Sequence, residues 1–248
     1  MPNTTVELHR NADFSQRNIG YIDPEPPIYI PGSPFANFRL GFSLSRSLKN
    51  RVAGEVDGVT GGTITLSGDK LKAQAAASST ISIGGTRALP LSFAVVFKQE
   101  AAAVNQTLAG RPSSGGSEDA AGVCVAASGN LSAVVRSVAG GFGTPSLAKD
   151  GGDRYEFLAA SFDNSGGPGA SVIKLWRPRT ATLQQTNTAT MPASITTSRV
   201  LGATTGTLTS AVEGVRALQW ANRVLTDQEV LDMYASWKES LATSGIII

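Results

Sequence analysis

The chain has one cysteine and one histidine in 248 residues, and only 16% of its residues are charged. A single cysteine, Cys124, cannot close an internal disulfide; it lies in Gly122-Val123-Cys124-Val125, which reads as a strand, so its expected role is that of a small buried hydrophobe. The lone histidine, His9, is expected to be exposed. A Ser-His-Asp or Cys-His site needs an imidazole held beside its nucleophile, which argues against that chemistry. Gly-x-Ser-x-Gly, a phosphate-cradling Gly-x-x-x-x-Gly-Lys and Cys/His zinc spacings are all missing. A net charge of +2 without a dense basic run gives no reason to expect nucleic acid. With 41% hydrophobic residues the composition is too apolar for disorder and too polar for membrane insertion. No apolar signal segment is seen near Met1, so synthesis in the cytoplasm is expected, and no repeat of fixed period is visible.

What is abundant is glycine, 27 residues, among many Ser, Thr and Ala, which suits short strands joined by turns. The strongest strand is Leu91-Ser92-Phe93-Ala94-Val95-Val96-Phe97, whose β-branched and aromatic content predicts a central strand packed on both faces. Further strands are predicted at 38–42, 63–66, 79–83, 106–111, 155–163, 172–176 and 199–202. A hairpin is predicted from 121–126 and 131–135 across Ser128-Gly129-Asn130. The segment Gly214 to Trp237 reads as a strand, a short turn and a helix. Leu218 and Trp220 alternate with polar or small neighbours, and Thr226 with Glu229 forms a capping box. Leu225 and Val230 form a hydrophobic staple, and Val230, Met233, Tyr234, Trp237 and Leu241 make one apolar stripe that must dock, most simply on the sheet of the preceding strand. Trp220 and Trp237 are expected in the core.

Asn222-Arg223-Val224-Leu225-Thr226 followed by Asp227-Gln228-Glu229 resembles the closing strand, turn and helix of the concanavalin A-like lectin/glucanase superfamily, specifically its laminin-G-like jelly-roll domains. Tyr155 to Asp163, Val172 to Trp176 and Arg199 to Gly202 resemble later strands of that family in the right order. The resemblance implies an all-β fold, a two-sheet antiparallel jelly-roll sandwich over residues 36–248 with one short C-terminal helix, preceded by an extended arm over 1–35. Departures are Arg216 and Ala217 where the family often has an acidic pair, and Arg177-Pro178-Arg179 where it usually turns with Asn-Gly. Glucanases of the superfamily carry Glu-x-Asp-x-Glu on one strand. Glu55-Val56-Asp57 continues to Val59 instead of the second glutamate, so the pair is read as turn chemistry and no enzyme is expected. Calcium, bound by many lectin-like relatives, has only weak candidates, Asp163 and Asn164 first, with further oxygens at Asp150 and Asp153 and at Glu118 and Asp119, none in a dense loop signature. No cofactor is expected.

Glycan binding needs an exposed aromatic with hydrogen-bonding neighbours, and Trp176 with Arg177 and Arg179 is the best candidate set, against a packed role for the ring. The arm holds five prolines between Pro24 and Pro34, yet interleaves Ile19, Tyr21, Ile22, Ile28, Tyr29, Ile30 and Phe35. It packs either along its own domain or on another subunit or a larger assembly. The tail Ile246-Ile247-Ile248 adds three apolar side chains that call for a docking partner. Two functions follow as expectations. One is a structural protein of a bacteriophage virion, such as a capsid decoration or tail-associated protein, assembled through arm and tail with protein partners or as a homo-oligomer. The alternative is an extracellular carbohydrate-binding module or adhesin for cell-surface glycans.

Overall fold

The computed structural model describes residues 32, 34–39, 44–62, 64–67, 70–73, 80–83, 86–99, 106–110, 120–125, 128–136, 142–149, 154–167, 170–188, 191–195, 199–202, 212–215, 217–243 and 245–248. The order begins β1 (Pro34–Arg39), α1 (Leu44–Ser47), β2 (Val59–Gly61), β3 (Ile64–Ser67), β4 (Lys70–Ala73), β5 (Thr80–Ser82) and β6 (Arg87–Ala88). It continues with β7 (Leu91–Gln99), β8 (Gln106–Gly110), β9 (Ala120–Val125), β10 (Leu131–Arg136), β11 (Phe142–Gly143), β12 (Ser146–Leu147) and β13 (Arg154–Asp163). Last come β14 (Ser171–Arg177), β15 (Thr182–Thr188), β16 (Ser194–Ile195), β17 (Arg199–Gly202), β18 (Val212–Val215), β19 (Ala217–Ala221) and α2 (Asp227–Ala242).

The fold is all-β, a sandwich of antiparallel sheets with a C-terminal helix. Its larger sheet has six strands in the order β1-β19-β7-β13-β14-β15. The period-2 alternation of strand side chains sorts its residues onto two buried faces. Phe93, Val95, Phe97, Leu158, Ala160, Phe162, Ile173, Leu175, Leu218 and Trp220 face the sandwich core. Ala94, Val96, Phe157, Ala159 and Trp176 face the other way and join Leu225, Val230, Met233, Trp237 and Leu241 from the α2 side. The central strand 91–97 is therefore packed on both faces, as its composition predicts. Phe93 meets Trp220 edge-on at 4.3 Å, and Phe35 meets the same indole edge-on at 5.5 Å, arrangements that add to plain area burial.

The second sheet runs β11-β10-β9-β8, with β12 also paired to β10. Leu108, Ala109, Ala121, Val123, Val125, Leu131, Ala133, Val135 and Leu147 close the core from this side. Cys124 is buried beside Val134, away from that core, and burial pushes its thiol up to about 12. The remaining strands form short ribbons, β6-β16, β2-β5-β17 and β3-β4-β18.

Helix α2 begins as the sequence predicts. The Thr226 hydroxyl accepts the Glu229 amide at 3.2 Å, and the Glu229 carboxylate accepts the Thr226 amide at 2.9 Å. Arg223 clamps the same carboxylate with both terminal nitrogens and donates from Nε to the Gly32 carbonyl at 2.8 Å. Beneath this turn, the Leu225 amide donates to Ser92 Oγ at 3.1 Å, and Ser92 Oγ donates to the Arg223 carbonyl at 2.6 Å. The stripe then lies on the sheet that contains β19, as expected. No described helix is long and apolar enough to cross a membrane.

Two expectations need correction. The described opening strand is Pro34–Arg39, residues 40–42 lying outside the described residues, and Phe35, placed in the arm as a candidate assembly contact, is a core residue. Its ring packs under Trp220, and the Arg87 guanidinium sits 4.4 Å from the ring centroid on another side. In the tail, Gly245 takes a left-handed φ of +74°, which turns the chain back so that the Ile246 amide reaches the Leu241 carbonyl at 3.0 Å. Ile246 and Ile248 are thereby buried against the cluster beneath α2, and Ile247 alone is exposed, at 78%. The other arm residues singled out, Ile19, Tyr21, Ile22, Ile28, Tyr29 and Ile30, lie outside the described residues, as does His9.

Candidate functional site

The site is built on β14, where alternation decides which side chains meet α2. Ile173 and Leu175 point into the sandwich core, so Lys174 and Trp176 point to the helix-bearing face. The Trp176 indole N–H donates to Asp227 Oδ1 at 3.0 Å. Lys174 Nζ stands 3.5 Å from the same oxygen and 5.6 Å from the indole centroid. Asp227 is the first residue of α2, where a carboxylate is favoured by the helix dipole, and its side chain remains 60% exposed. In the β14–β15 register Trp176 is opposite Leu183 and Lys174 opposite Gln185, and both β15 residues are exposed. Directly opposed residues share a face. Lys174, Leu183, Gln185 and Asp227 thus form an open polar shelf beside the start of α2, floored by Trp176. It offers a carboxylate acceptor, an ammonium donor and an amide that does both.

The three residues grouped from sequence as glycan contacts separate in the structure. Trp176 is only 5% exposed, so its ring offers no open stacking face. Arg177 and Arg179 belong to a different structure around Glu156, which is fully buried on β13. Arg179 donates to both Glu156 oxygens, Nε to Oε1 at 3.3 Å and Nη2 to Oε2 at 3.2 Å. Arg177 Nε stands 3.8 Å from Oε2, while its Nη2 donates to the Ala148 carbonyl at 2.7 Å. The turn between them, a 3-10 turn over Pro178–Thr180 ended by left-handed Ala181, replaces a two-residue hairpin and turns Arg179 back toward Glu156. A buried carboxylate requires such partners.

The acidic candidates are used locally. Asp163 Oδ1 accepts the Ser165 amide at 2.9 Å and its hydroxyl at 2.6 Å, which is turn chemistry, and Asn164 Nδ2 donates to the Pro192 carbonyl at 3.3 Å. Asp57 accepts the Asn50 amide at 2.9 Å and Lys49 Nζ at 3.0 Å; the Asn50 amide, then Lys49, hold its carboxyl below the usual range. Glu55 instead faces Arg87 at 3.7 Å. Gly58 follows where a Cβ would lie 2.9 Å from Ile81 Cγ2, so the Asp57-Gly58 turn is fixed by close packing. Among the described residues no three His, Cys, Asp or Glu side chains gather as a metal site. Glu118, Asp119, Asp150 and Asp153 lie outside them.

Sequence reasoning missed Lys174, Gln185 and Asp227. Lys174 carried a signal, since it stands two residues from Trp176 on one strand face. Asp227 and Gln185 carried none, because their approach depends on how α2 and β15 lie on the sheet.

No protein-family model and no curated protein sequence matches the chain. Solved structures share its fold. Domain 4 of AbnA, a GH43 extracellular arabinanase from Geobacillus stearothermophilus, in complex with arabinotriose, aligns with a TM-score of 0.59 and 16% identity over 81% of this chain and 98% of that one. The botulinum neurotoxin serotype D ligand-binding domain, in complex with N-acetylneuraminic acid, aligns with a TM-score of 0.54 and 9% identity over 82% of this chain and 50% of that one. At these identities the likeness is one of fold, a β-sandwich.

Proposed function

We propose that this domain is a non-catalytic carbohydrate-binding module and that a glycan lies along the Lys174, Leu183, Gln185 and Asp227 shelf. The observation that carries the reading is the meeting of Lys174 and Asp227 on an exposed sheet face floored by Trp176. Vicinal sugar hydroxyls are each donor and acceptor, which matches a carboxylate, an ammonium and an amide set side by side. Leu183 supplies the apolar patch that a sugar's C–H face covers. The two β-sandwich complexes with arabinotriose and N-acetylneuraminic acid support the ligand class. The test is binding of arabino-oligosaccharides and sialylated glycans on an array, followed by calorimetry with Lys174→Ala and Gln185→Ala. Each variant is expected to weaken binding about tenfold, the worth of one lost hydrogen bond of roughly 1.4 kcal/mol. Absence of binding to every glycan, or wild-type affinity in both variants, would contradict the reading.

A second reading, a structural component of a bacteriophage virion, is favoured by Ile247, which stays exposed between two buried isoleucines. A single exposed apolar side chain at a fixed position suits a docking knob. Ile247→Asp would then abolish incorporation into the particle while leaving the fold unchanged.

A further inference from the structure

We propose that the outer edge of β15 pairs with β15 of a second copy of this chain, joining two six-stranded sheets into one continuous sheet. A strand at a sheet edge presents unpaired N–H and C=O groups to any compatible strand. Proteins normally blunt such edges with charge, proline, a bulge or a cover. Strand β15 has none of these devices within it. Its sequence, Thr-Leu-Gln-Gln-Thr-Asn-Thr, holds no charged residue and no proline, and all seven residues pair with β14 without a register shift. Among the described residues β14 is its sole strand partner, and Leu183, Gln184 and Gln185 are exposed.

The occupant follows from self-complementarity. A two-fold axis through Gln185 brings Gln185 against itself, Gln184 against Thr186, Leu183 against Asn187 and Thr182 against Thr188. No like charges meet at any of these positions. Because the axis is perpendicular to the sheet, both α2 helices and both polar shelves come to lie on one side of the dimer. The pairing itself does not depend on the glycan reading, since its readout is mass.

The experiment is sedimentation equilibrium on the full chain over about a hundredfold range of concentration, with wild type, Gln185→Lys, Gln185→Glu and an equimolar mixture of the two variants. Wild type is expected at twice the mass of one chain. Each variant alone places like charges on the axis and is expected at single-chain mass, with an unchanged circular dichroism spectrum that reports an intact fold. The mixture is expected to recover the doubled mass. A wild type of single-chain mass throughout, or a doubled mass that neither variant lowers, would overturn the proposal.

Discussion

The two edges of the six-stranded sheet are finished in opposite ways. At the β1 edge a single side chain stands in for a strand. Asn50 Oδ1 accepts the Asn37 amide at 3.0 Å, and Asn50 Nδ2 donates to the Phe35 carbonyl at 3.0 Å. The Arg51 amide reaches the Asn37 carbonyl at 2.9 Å. Pro34 and a register irregularity between Pro34 and Ala36 complete the blunting, and Arg223 ties Gly32 to the helix cap. At the β15 edge the strand is regular and uncharged, with Leu183, Gln184 and Gln185 exposed. The difference separates two tasks. The β1 side is built into the core through Phe35 and Phe38, whereas the β15 side carries the open shelf and a strand paired, among the described residues, with β14 alone.

The largest expected effect breaks the β1 side from within. Trp220→Ala removes the indole that holds both Phe35 and Phe93 and is expected to cost about 3–5 kcal/mol in denaturant melts. Asn50→Ala leaves the Asn37 amide and the Phe35 carbonyl unpaired at a buried edge and should cost about 2–3 kcal/mol, with faster amide exchange in β1. Acid acts next. Arg223, then the Thr226 amide and hydroxyl, hold the Glu229 carboxyl down at about 2, against burial, which raises it. Its folded pKa lies below the ordinary 4.5 of a free carboxyl, so its contribution is full above that value and is lost as pH falls toward about 2. The contribution is on the order of 2 kcal/mol after discount for partial exposure. Glu229→Gln should remove this acid-dependent part of the melting curve. On the β15 side, Leu183→Ala is expected to change stability by no more than about 0.5 kcal/mol, because the residue is exposed at the surface.

The same contrast explains what could be read from sequence. Strand 91–97, the Thr226–Glu229 cap and the core roles of Trp220 and Trp237 rest on local pattern, and the structure shows each of them. Phe35 was obscured because the run of prolines up to Pro34 dominates its neighbourhood and gives no hint of a partner at β19. The tail alone gives no sign of its docking place, since nothing local shows that Gly245 folds it onto α2. Trp176 belongs to a different set of neighbours from the one its sequence position suggests. Sequence places Arg177 beside it, but strand alternation sends that guanidinium to Glu156 and brings Asp227, 51 residues away, to the indole. Which strand would be an edge, and how it would be finished, is set by the whole sheet and left no mark in any short segment.

Hydrogen exchange followed at low and high protein concentration tests the contrast between the two edges most directly. The account predicts that amides of β1 are protected equally at both concentrations, while protection along 182–188 rises as concentration rises. Exchange in β15 that ignores concentration, or β1 amides that exchange as fast as those of β15, would contradict it.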